Sequence, residues 1–223
     1  HLTHDEAANK AILRYEIYMR NYSLNMLRIN SPFAFTALGS AMACRVSAYR
    51  KIGEISPMKS GEDFYFLQQL RKIGSILIWN ESHVYPAARF SDRVFFGTGP
   101  AMIKGNQGNW ESYPVYCPSL FDEIGDTYQH LNQIYSNSFE NNFLNFLKIQ
   151  FKNDNFLDPI RKNSKTAEQF VKAFHFKVDG LRILQFLKQQ QKERALRDYD
   201  CLLENIKVNF SDVEVGKRNL DDI

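Results

Sequence analysis

The stretch "KSGEDFYFLQQLRKIGS", residues 59–75, decides how the first half of the chain is interpreted. Apolar residues recur at helical spacing from Phe64 to Leu70, and Gly74 is typical of the residue that follows a helix. Two adjacent carboxylates, Glu62 and Asp63, stand where this helix begins. They either stabilise the helix start through its dipole or supply a catalytic base, and both readings are open at this point.

The rest of the chain is predicted to be α+β and helix-rich. Apolar periodicity and breaker residues predict helices over 5–28, 47–51, 119–136, 138–152, 166–189 and 191–207. Short apolar runs predict strands over 35–44, 75–80 and 82–88. Glycines and prolines recur between 103 and 118, which predicts a loop that separates two regions. We predict an α/β domain over 1–115 and an α-helical region over 116–223.

Composition limits the functions that the chain can have. The net charge of +3 and the absence of a long basic run argue against binding to nucleic acid. The three cysteines are far apart in the sequence and predict neither a disulfide framework nor a Cys-x-x-Cys metal pair. A reducing compartment is therefore expected, and we predict a cytoplasmic protein.

Three motifs occur in a characteristic order: "GSAMACR" at 39–45, "KIGEI" at 51–55 and "GEDFYFLQQLRKIG" at 61–74. This series resembles the family 2 glycosyltransferases of the GT-A fold, from the first helix to the glycine loop at 97–99. The resemblance implies the second, acceptor-side half of a GT-A-like α/β domain, followed by a helical extension. It also implies an inverting transfer of a sugar from a nucleotide-sugar donor to a hydroxyl acceptor, in polysaccharide biosynthesis.

The resemblance assigns roles around an acceptor cleft. Asp63 is expected to be the general base, with Glu62 beside it on the cleft wall. Gly39 and Ser40 are expected to line the cleft. Trp110 is a candidate for stacking on a sugar ring, although a tryptophan more often anchors a core or a loop.

Basic and metal-binding residues complete the predicted site. Arg89 and Arg93 suit the donor diphosphate because guanidinium groups match phosphate oxygens, although a pair of solvated loop arginines is the alternative. Relatives use Mg²⁺ or Mn²⁺, and His83 is a candidate ligand, although a lone strand histidine is more often packed or solvated. No Asp-x-Asp motif directly follows a predicted strand, where the family holds its metal.

We therefore expect the donor-binding half of the enzyme to lie outside this chain. A half-domain would expose a sheet edge, which allows a homodimer. The acceptor is expected to be a glycan or a lipid-linked molecule. A basic helix face between Lys188 and Arg197 could contact the inner face of the membrane peripherally, or it is an ordinary solvated face. The rival hypothesis is a non-catalytic helical interaction or scaffold module.

Overall fold

The computed structural model describes residues 3–37, 41–55, 58, 60–79, 81–85 and 87–210 of the 223-residue chain. Within these ranges the regular elements are helices. They are α1 (Glu6–Arg28), α2 (Val46–Lys51), α3 (Glu62–Ile73), α4 (Thr98–Asn106), α5 (Pro118–Ser136), α6 (Asn142–Phe151), α7 (Asp158–Lys162), α8 (Ala167–Lys177), α9 (Gly180–Glu193) and α10 (Asp198–Asn209).

The predicted α+β fold class is wrong, because no strand occurs in the described part of the chain. Residues 35–44, 75–80 and 82–88 were predicted as strands, and none of their described residues takes part in a ladder of backbone hydrogen bonds. A strand exists only when a second extended segment accepts and donates its backbone hydrogen bonds. The apolar pattern was present, but no such partner segment lies beside it among the described residues.

The chain divides into two compact units. Unit 1 contains the described residues within His1–Leu24, Phe35–Val115 and Asn209–Ile223, and unit 2 contains Asn25–Ala34 and Tyr116–Val208. Each unit is described separately below.

Unit 1 is organised around the apolar face of α1. Its buried cluster consists of Ala8, Ala11, Ile12, Tyr15, Ala88, Ala101 and Met102. Alanines on α1 and α4 leave room for the partly buried rings of Tyr18, Phe90, Trp110 and Tyr113 to pack against this cluster. The helix spacing of α1 in the sequence predicted this face, but not the loop residues that cover it.

Unit 2 has an aromatic core. The ring of Phe186 lies 5.0 Å from that of Phe143 and 5.3 Å from that of Phe146, in edge-to-face geometry. Such geometry is favourable because the edge of one ring meets the face of the other. A disulfide joins Cys117, which precedes α5, to Cys201 on α10. The prediction that the cysteines form no disulfide is therefore wrong for this pair, whereas Cys44 is free and exposed.

None of the helices in the described ranges is long and apolar enough to cross a bilayer.

Candidate functional site

Asp63 and Glu62 occupy the first turn of α3 but differ in exposure. Gly61 precedes them with a φ of +79°, and a Cβ at this glycine would lie 2.7 Å from the ring of Phe96. Both observations explain why a glycine stands at the helix start. Asp63 is half-buried and its Oδ1 accepts the Phe64 N–H at 2.7 Å, whereas Glu62 is exposed. Of the two carboxylates, Asp63 is therefore the one held in place by the fold.

Tyr15 on α1 lies close enough to Asp63 to sense its charge. The pKa of Tyr15 is raised to about 12, first by burial, then by Tyr113 and to a smaller extent by the Asp63 carboxylate. A hydrogen bond with the Thr98 side chain acts in the opposite direction. The phenol of Tyr15 thus bonds to the first residue of α4, and its pKa also responds to the charge at the start of α3.

Tyr15, Tyr18 and Tyr113 form a tyrosine cluster. Their ring centroids are 5.4–5.7 Å apart, and Tyr113 meets both other rings edge-on. The Tyr113 hydroxyl accepts the Gly97 N–H at 3.1 Å and donates to the Gly97 carbonyl at 3.4 Å. This hydroxyl therefore holds the glycine loop at the start of α4. The sequence places Tyr15 at helical spacing with other apolar residues of α1, and this spacing gives no sign of a contact with Tyr113.

Arg89 and Arg93 lie on the segment that leads into α4. Both are exposed, and neither has a hydrogen bond or an ion pair within the described residues. A Cβ at Gly99 would lie 2.2 Å from the Ser91 carbonyl oxygen, so the segment between the two arginines packs directly on α4. The structure does not bring either guanidinium into contact with Asp63, and their role with diphosphate stays a prediction.

Trp110 is packed between neighbours in unit 1. The Arg14 guanidinium lies 4.9 Å from the centroid of its ring, and a Cβ at Gly105 would come within 2.1 Å of the same ring. A role in sugar stacking therefore requires Arg14 to move aside, and it stays a prediction. Gly39 and Ser40, the other predicted cleft residues, lie outside the described residues.

His83 is exposed, and its ring lies 6.1 Å from that of Tyr85. Among the residues that the structure describes, no three His, Cys, Asp or Glu side chains come together as a metal site. The sequence contains one Asp-x-Asp triplet, Asp198 to Asp200, and it opens helix α10 and does not follow a strand. Asp200 there accepts from Arg197 at 2.6 Å, as expected of a helix start.

Comparison with known proteins finds no matching family model, no matching curated protein and no matching solved structure.

Proposed function

We propose that this chain takes part in an inverting glycosyl transfer and supplies its general base, Asp63. In this reaction the acceptor hydroxyl attacks the anomeric carbon of a nucleotide sugar while Asp63 accepts the hydroxyl proton. The bond from the anomeric carbon to the diphosphate breaks, and the diphosphate leaves with the electron pair. The proposal rests on the residue pattern and on the setting of Asp63.

The observation that carries the proposal is the half-buried Asp63 carboxylate beside the tyrosine cluster. A general base must be within hydrogen-bond reach of the proton that it removes, in a fixed orientation. Asp63 is oriented by the first turn of α3, and its second oxygen is not assigned to any hydrogen bond among the described residues.

The same hypothesis specifies the donor, the acceptor and the metal ion of the reaction. The donor is a nucleotide sugar, and Arg89 and Arg93 contact its diphosphate. The acceptor is a glycan or a lipid-linked molecule. A divalent cation is expected in such enzymes, but the described residues provide no cluster of ligands for one, so no step here depends on it.

We place the reaction in the cytoplasm, at the inner face of the membrane. The Cys117–Cys201 disulfide argues against this placement, because the cytosol normally keeps thiols reduced. Thiol alkylation in intact cells, followed by mass spectrometry, distinguishes the cases. Alkylated Cys117 and Cys201 would support the cytoplasm, and a disulfide that resists alkylation would contradict it.

The test of the proposal compares Asp63→Asn with its neighbour Glu62→Gln. Transfer from labelled UDP and GDP sugars to glycan and lipid-linked acceptors is measured with and without Mn²⁺. Loss of a general base costs about 10²- to 10⁴-fold in rate, so Asp63→Asn should lose activity to that extent. Glu62→Gln removes the neighbouring carboxylate in the same helix turn, which is exposed. This variant should retain activity within about a few fold, as expected for a surface change.

An unchanged rate in Asp63→Asn would exclude the base assignment. A chain that binds neither UDP nor GDP in a calorimetric titration agrees with a donor-binding half outside it, so Asp63→Asn and Glu62→Gln are compared in the complete enzyme. A complete enzyme that transfers no sugar favours the rival function. That function is a non-catalytic helical interaction module, and the well-packed aromatic core of unit 2 is the observation in its favour.

A further inference from the structure

Residues 75–79, with the sequence Ser-Ile-Leu-Ile-Trp, lie outside any helix, and four of the five are exposed although four of the five are apolar. Exposure alternates along them: Leu77 is 87% exposed, Ile78 48% and Trp79 67%, and Ile76 is half-buried. This alternation is that of a β-strand, in which successive side chains point to opposite faces. We call residues 75–79 the exposed segment.

The backbone of the exposed segment is also unpaired. Within the described residues, none of its N–H or C=O groups takes part in a backbone hydrogen bond. The last bond before it runs from the Gly74 N–H to the Leu70 carbonyl, where α3 ends. An uncharged apolar strand with a free backbone edge is a template for pairing with another strand. Natural edge strands usually carry a charge or a proline that prevents this, and the exposed segment carries neither.

We propose that the exposed segment pairs antiparallel with the same segment of a second copy of this chain, centred on Leu77. In this register Leu77 faces Leu77 of the second copy, and Ile76 faces Ile78. Directly opposed apolar residues are the stabilising unit of an antiparallel pair.

Charge complementarity selects the antiparallel arrangement. Arg71 and Lys72 precede the exposed segment and Glu81 follows it. Antiparallel pairing brings the basic end of one copy to the acidic end of the other, whereas parallel pairing would place like charges side by side. Arg71 and Lys72 lie in the last turn of α3, and like charges brought close together at that end would repel each other.

The test uses charge substitution at the centre of the pair. In a dimer of Leu77→Lys, or of Leu77→Glu, two identical charges would face each other at position 77. Neither variant should therefore self-associate. An equimolar mixture of the two should restore the dimer, because Lys then faces Glu. Leu13→Lys is the control, since Leu13 is an exposed leucine of α1 in the same unit. Sedimentation velocity measures the dimer fraction over a range of concentrations.

We expect the wild-type chain and Leu13→Lys to dimerise. The dissociation constant of the dimer should be higher by roughly ten-fold or more in each position-77 variant, and the mixture should restore the dimer. A wild-type chain that stays monomeric overturns the proposal, and so does a dimer that is unaffected by both variants. Failure of the mixture overturns the register centred on Leu77. Hydrogen exchange of residues 75–79 in the wild-type chain gives an independent measurement, and it should slow as the concentration rises.

Discussion

The Tyr15 phenol links folding of unit 1 to pH. Burial is the main reason that its pKa rises from an ordinary value of about 10 to about 12. A raised pKa means that the folded state holds the proton more tightly than the unfolded state. The resulting stabilisation is complete below pH 10 and is lost as the pH rises through 12. Two pKa units correspond to about 3 kcal/mol.

Tyr15→Phe should therefore make unit 1 less sensitive to alkali. Between pH 9 and about 11.5, the free energy of unfolding of the wild-type chain should fall by about 2 kcal/mol more than that of the variant. Urea unfolding followed by tryptophan fluorescence measures this, because both tryptophans, Trp79 and Trp110, belong to unit 1. Tyr85→Phe, which alters an exposed tyrosine of the same unit, is the control. Equal pH dependence in the two variants would contradict the assignment.

Part of the candidate site could be predicted from the sequence, as Glu62 and Asp63 show. The position of Glu62 and Asp63 at a helix start followed from local spacing, and the structure confirms it. Which of them is half-buried depends on how the rest of unit 1 packs around the start of α3, and local spacing does not contain that information. For the same reason, the partnership of Tyr15 with Thr98 and Asp63 could not be predicted from any short window.

At the level of elements, helices with long apolar periods were predicted well. The prediction of 5–28 agrees with α1 (Glu6–Arg28), and that of 119–136 agrees with α5 (Pro118–Ser136). The predicted helix 166–189 is in fact α8 and α9, because Asp179 caps a new helix by accepting the Leu181 N–H at 3.2 Å. The dipeptide Asp179-Gly180 is of a type that marks turns, so the sequence does indicate this break. The predictions of strands were wrong because strand pairing depends on segments that are distant in the sequence. An apolar run in one segment does not show whether a second segment pairs with it.

The start of α4 depends on close contact between helix and loop. A Cβ at Gly99 would lie 2.2 Å from the Ser91 carbonyl oxygen, which is backbone and cannot rotate away. Gly99→Ala should therefore destabilise unit 1 by about 1–3 kcal/mol, despite the usual helical preference for alanine. Gly74→Ala is the matched control, since nothing lies within 4 Å of a Cβ there and its φ of −172° suits any residue. Urea unfolding followed by tryptophan fluorescence compares the two, and equal stability would refute the contact.

At the level of the whole molecule, the connection that sequence could not predict is the Cys117–Cys201 disulfide. The two residues are 84 positions apart, and three cysteines alone allow any pairing or none. Both cysteines are buried in unit 2, and the Gln191 side chain contacts both residues by accepting the Cys117 N–H at 3.4 Å and approaching Cys201 Sγ at 3.6 Å. The bond thus joins the beginning and the last helix of that unit.

Reduction of this disulfide should lower the stability of unit 2 strongly. Closing a loop of this length removes conformational entropy from the unfolded chain, which corresponds to about 4–5 kcal/mol in the chain-entropy model. Hydrogen exchange of peptides from α5 and α10 should therefore become faster in dithiothreitol, and equally so in a Cys117→Ser/Cys201→Ser variant. Cys44→Ser removes the exposed free thiol and should leave these rates unchanged. Identical exchange in the oxidised and reduced chains would mean that packing around Phe121 and Phe186, and not the covalent bond, determines the stability of the unit.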